Sequence, residues 1–84
     1  MENINNKIMA RLAEERRKKL TQEQLAEKIG LSAKSIAAFE NGRRNPSFNT
    51  FVKICSVLQP DMNYIIYGKR QNGGESNGND KETG

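Results

Sequence analysis

The chain has 84 residues, enough for one small domain with a modest core and too few for the deep cleft of a typical enzyme. Its formal charge of +4 favours an anionic partner, and the absence of histidine removes the commonest general base and zinc ligand. One cysteine leaves no internal disulfide, no apolar run approaches the ~20 residues of a membrane span, and the N-terminal MENINNKIMA lacks the apolar core of a signal peptide, so a cytoplasmic protein is expected.

Ile4, Ile8 and Leu12 recur every four residues with Met9 and Ala13 beside them, which predicts a first helix ending near the basic cluster Arg16-Arg17-Lys18-Lys19. Cations there complement the negative end of the helix dipole. Thr21 followed three residues later by Gln24 forms a capping box, so a second helix starts at Gln22 and carries Leu25, Ala26 and Ile29 on one face. Gly30 follows the last of these, where a left-handed residue closes a helix without steric cost. Ser32 is then the N-cap of a third helix, with Ile36 and Phe39 facing inward and Asn41-Gly42 as its stop. Ala26 is small enough for the second and third helices to cross closely.

Arg43-Arg44-Asn45-Pro46 reads as a loop, and Ser47 caps a fourth helix whose apolar positions, Phe48, Phe51, Val52, Ile54, Cys55 and Leu58, are expected to floor the core. Cys55 is accordingly expected to be a small buried core residue. Gln59-Pro60 breaks that helix, Asp61 caps a short fifth helix over Met62 to Tyr67, and Gly68 ends the folded part. Residues 1–68 are thus one domain. The remainder, 69–84, is rich in Gly and Asn, has no apolar residue and cannot bury enough surface to offset its ordering entropy, so a disordered polar tail is expected.

Two short helices at a steep angle across a glycine turn are the helix-turn-helix unit, which places its second helix in the major groove of DNA. Gln22, Ala26, Gly30, Ile36, Phe39 and Glu40-Asn41-Gly42, continuing through Asn45-Pro46-Ser47 to Tyr64-Ile65-Ile66-Tyr67-Gly68, resemble the Cro and phage-repressor (XRE) helix-turn-helix family. The resemblance implies an all-α, compact five-helix lambda-repressor-like DNA-binding domain with the helix-turn-helix at helices 2 and 3. It covers roughly the first four fifths of the chain. Two departures stand out. Lys19 precedes Leu20 where family members often have glycine, and the outward face of the third helix is poor in polar side chains. With the first connection about one residue shorter, the resemblance implies that Arg16 pairs with Glu40, with Arg17 or Arg11 as alternatives.

The expected interface divides into positioning and reading. Backbone N–H groups at the start of the second helix, with Thr21 and Gln22, suit phosphate contacts, and the family uses the glutamine in this way. Asn41, Arg43 and Arg44 would lie along the sugar-phosphate wall. Base reading falls to Ser32, Ala33, Lys34, Ala37 and Ala38. Among these, Lys34 alone makes a strong base-edge bond, to guanine O6 and N7, while the alanines meet thymine methyls or allow close approach. Site shape and deformability supply further discrimination.

So small a reading face discriminates few base pairs, which leads to a two-fold dimer on a palindromic operator with half-site centres ~10 base pairs apart. Tyr64, Ile66 and Tyr67 are the candidate dimer residues, with Ile66 or Tyr67 alternatively serving the core. Association is expected to be weak in free solution and strengthened on DNA. The function expected is a sequence-specific transcriptional regulator, a repressor, with double-stranded DNA as partner and no cofactor, metal or membrane. The alternative is an antitoxin or other interaction module with a protein partner. Catalysis is not expected, since the chain has no histidine, no Gly-rich phosphate loop and no metal-ligand cluster.

Overall fold

The computed structural model describes residues 4–69. These form five helices: α1 (Ile4–Arg17), α2 (Gln22–Ile29), α3 (Ala33–Glu40), α4 (Phe48–Leu58) and α5 (Met62–Tyr67). Among the described residues there is no strand, so the all-α expectation holds. Most of the expected tail, residues 70–84, lies outside the described residues.

Local chemistry sets the helix ends. Thr21 Oγ1 accepts from the Gln24 N–H at 3.0 Å while Gln24 Oε1 accepts from the Thr21 N–H at 2.9 Å, closing the capping box. Ser32 and Ser47 cap α3 and α4 in the same manner, each accepting at 3.1 Å from the N–H three residues on. Asp61 accepts from the N–H groups of Asn63 and Tyr64 and so starts α5 directly after Pro60. At the other end of α2, Gly30 sits at φ 76° and donates its N–H to Ala26. Gln59 closes α4 at φ 48°, a left-handed conformation that glycine normally takes.

Each helix contributes one fully buried side chain to the centre: Leu12, Leu25, Ile36, Leu58 and Ile65. Fully burying such a side chain stabilises by about 1.5–3 kcal/mol, so no helix docks without a central anchor. Around them lie Met9, Ala26, Ile29, Phe39 and Ile54. α2 packs on α3 and α4, and α1 on α3 and α5. Side-chain to backbone bonds fasten the last element. Arg11 Nη1 donates to the carbonyls of Ile65 at 3.1 Å and Ile66 at 3.4 Å, satisfying acceptors at the C-terminal end of α5. Tyr64 Oη donates to Glu14 Oε1 at 2.6 Å. Lys19 Nζ likewise donates to the Leu58 carbonyl at the end of α4.

Three sequence expectations need correction. In α1 the inward stripe is Met9, Leu12, Ala13 and Arg16, while Ile4 is exposed and Ile8 half-buried. In α4 the core takes Ile54 and Leu58, whereas Phe48 is 78 % exposed and Val52 43 %. With about 100° between successive residues, Phe48 and Val52 lie more than 100° around the helix from Ile54, farther than one packed face extends. Cys55 lies between these groups and is half-buried, not buried. Desolvation raises its thiol pKa above the ordinary 9.0.

Candidate nucleic-acid interface

The turn between α2 and α3 is held by the Ala26 carbonyl, which accepts from the N–H of Gly30 and, at 2.9 Å, from that of Leu31. Leu25, Ala26 and Ile29 of α2 and Ile36 and Phe39 of α3 bury the facing surfaces. The opposite face of α3 is left uncovered. Lys34 is exposed and Ala37 and Ala38 half-exposed there, each about 100° or more around the helix from both Ile36 and Phe39, while the half-exposed Ala33 flanks that face and the exposed Ser32 stands at the N-cap in line with the buried pair. Ser32 is partly committed, because its hydroxyl accepts from the Ser35 N–H and donates to Ser35 Oγ at 3.1 Å.

Around this face lie the residues expected to meet phosphates. Thr21 is exposed, its hydroxyl engaged in the capping box. The half-buried Gln22 donates its amide to Glu40 Oε1 at 3.0 Å. Asn41 Oδ1 accepts from the Arg43 N–H at 3.0 Å, fixing the first bend of the loop after α3. Arg43 and Arg44 are both exposed.

Beneath the interface, Arg16 makes two bonds to one carboxylate, Nε to Glu40 Oε2 at 2.8 Å and Nη2 to Oε1 at 3.0 Å. The pair is not solvated: the side chains are 9 % and 11 % exposed. Arg16 Nη1 also donates to the Leu20 carbonyl at 3.0 Å. Glu40 therefore links the end of α1, the start of α2 and the end of α3 through three donated bonds. Of the alternatives open in the sequence, Arg11 is instead engaged at the end of α5.

Two features of this surface escaped the sequence reading. The Gln22 to Glu40 bond joins residues distant along the chain, and only the crossing of the helices brings them together. Arg44 folds back, its guanidinium carbon 5.3 Å from the Phe39 ring centroid and its Nη1 3.3 Å from Ser35 Oγ. No local pattern announces such a return.

The three candidate dimer residues differ in surroundings. Tyr64 is half-buried with its hydroxyl on Glu14, Ile66 packs partly against the core, and Tyr67 is 73 % exposed. A separate apolar groove runs between α4 and α5, lined by Phe48, Phe51, Val52, Cys55, Pro60 and Met62. Among the described residues there is no cluster of metal-ligating side chains, and no helix is long and apolar enough to cross a membrane.

Residues 11–65, which span α2, the turn, α3 and most of the packing around them, match the family model described as Helix-turn-helix. This chain belongs to the helix-turn-helix family. It is an XRE-like helix-turn-helix protein, as the residues from Gln22 to Gly42 imply. It is similar to an uncharacterized HTH-type transcriptional regulator, YqaE, of Bacillus subtilis (strain 168), with 33 % identity over 54 residues. That alignment covers 64 % of this chain and 47 % of the relative, so the helix-turn-helix chain spans about half the length of the curated relative it matches. No solved structure matches it.

Proposed function

We propose that the chain is a sequence-specific DNA-binding transcriptional repressor acting in the cytoplasm, which seats α3 in the major groove of a palindromic operator and blocks transcription there without catalysis. The observation that carries this reading is the uncovered outward face of α3, with Lys34 at its exposed edge and Gln22, Asn41, Arg43 and Arg44 around it. The relative's description as a transcriptional regulator supports the same conclusion. Residues 1–68 form the DNA-binding unit and 69–84 a polar tail. Thr21, Gln22, Asn41, Arg43 and Arg44 meet phosphates, and Ser32, Ala33, Lys34, Ala37 and Ala38 face the base edges.

Two copies bind together, with half-site centres ~10 base pairs apart. Tyr67, the most exposed of the three residues assigned to that contact, supports the dimer, and Phe48, Val52 and Met62 line a further exposed apolar surface. The same surface also favours a second reading, in which a protein partner docks and the chain serves as an antitoxin. Selection of bound sites from random duplexes by the purified protein tests the primary reading. An enriched motif with two-fold symmetry is expected, and recovery of no motif would defeat it.

A further inference from the structure

Arg44 lies four positions beyond the end of α3, yet its side chain returns along that helix to Ser35 and Phe39. The backbone directs it there. The N–H groups of Arg43 and Arg44 both donate to the Ala38 carbonyl, at 3.0 and 3.2 Å, so the loop doubles over the last turn of α3 instead of running away from it. With about 100° between successive helical residues, Ser35 lies about 60° from Ala38 and about 100° from Lys34, at the rim of the outward face on the side of the buried Phe39. The guanidinium is thus placed beside the reading face and toward its N-terminal half.

We propose that Arg44 does more than meet phosphate: it is a specificity-determining residue that reads a base edge alongside Lys34. The proposal rests on the reading of α3 as the groove-bound helix. Three observations carry it. The outward face itself offers Lys34 as its one strong base-edge donor, beside Ala33, Ala37 and Ala38. Nη1 of Arg44 is the atom held by Ser35, which leaves the parallel Nε and Nη2 edge for a two-bond contact to guanine O6 and N7. The stacking over Phe39 and the Ser35 bond hold the side chain before DNA arrives, which reduces the ordering cost of binding. Among the described residues, the side chain of the neighbouring Arg43 has no counterpart of either contact.

The test compares wild type, Arg44→Lys, Arg44→Ala and Arg43→Ala on the selected duplex, on its single base-pair variants and on random duplex across a range of salt. Lysine keeps the charge and loses the planar two-bond fork. Arg44→Lys is expected to lose about ten-fold in preference at one base pair, with random-duplex affinity and salt dependence retained. Arg44→Ala is expected to lose the same preference and some affinity for every duplex, and Arg43→Ala to weaken all duplexes alike. Full wild-type preference in Arg44→Lys would overturn the role and leave Arg44 a phosphate contact. A wild-type chain that binds no duplex would instead overturn the DNA-binding reading itself, which is seen before any variant is compared.

Discussion

Arg16 and Glu40 meet through two parallel hydrogen bonds of 2.8 and 3.0 Å, almost wholly shielded from solvent, and so join the end of α1 to the end of α3. Solvent-exposed pairs contribute little because water screens them and the side chains are ordered at a cost. Here burial changes the balance. Removing either partner leaves the other buried charge with one neutral partner, the Gln22 amide for Glu40 or the Leu20 carbonyl for Arg16, whereas the intact pair compensates both charges.

Glu40→Ala is therefore expected to destabilise the fold by about 3 kcal/mol, with Arg16→Ala similar. The double variant should cost clearly less than the sum of the two. Denaturant titration of the four members of this cycle measures the coupling. Strictly additive losses would show that the bonds are energetically inert.

Gln59 gives a prediction of opposite sign. Its left-handed backbone, φ 48°, ends α4 immediately before Pro60, and a side chain at such a position costs about 1 kcal/mol relative to glycine. Gln59→Gly is expected to stabilise the protein, by less than that amount because glycine also loosens the unfolded chain. A lowered denaturation midpoint would contradict this.

The burial that raises the Cys55 thiol pKa makes stability depend on alkaline pH. Above the ordinary thiol value of 9.0 the unfolded chain releases its proton while the folded chain still holds it. The unfolded state then binds fewer protons, so stability present below that pH is lost as pH rises toward the folded value. Wild type should thus lose stability above pH 9.0 more steeply than Cys55→Ala, a difference read from denaturation midpoints across that range. Parallel curves would place the thiol in solvent.

The dimer proposal is tested by sedimentation of the free chain, followed by titration of a palindromic duplex. Weak self-association and cooperative loading of two copies are expected, and Tyr67→Ser should reduce the cooperativity without unfolding a side chain that is 73 % exposed. One copy saturating the duplex, unaffected by Tyr67→Ser, would remove the dimer. Phe48→Ser in parallel tells whether the α4 surface shares in the contact.

The helix boundaries were legible because their causes are local. Thr21 with Gln24, Ser32, Ser47 and Asp61 each bond to a backbone N–H within three residues, and Gly30 needs only its own freedom of φ. Which apolar residues go inward was less legible. α4 carries apolar side chains around much of its circumference, so the choice of Ile54 and Leu58 over Phe48 and Val52 depends on where α2 and the other elements lie. Arg16 with Glu40 was reached through family resemblance. Gln22 on Glu40 and Arg44 on Ser35 and Phe39 arise from helix crossing and loop return, which no local spacing encodes.

The central claim is that α3 reads DNA through its outward face, and Lys34 is the side chain on which that claim bears most directly. Affinities of wild type and Lys34→Ala should be measured at one salt concentration on the selected duplex and on a scrambled one. The expected result is a loss of about 1–3 kcal/mol on the selected duplex with preference relaxed at a single base pair, and a markedly smaller loss on the scrambled one. Equal losses on both duplexes, or wild-type binding that does not distinguish them, would contradict it.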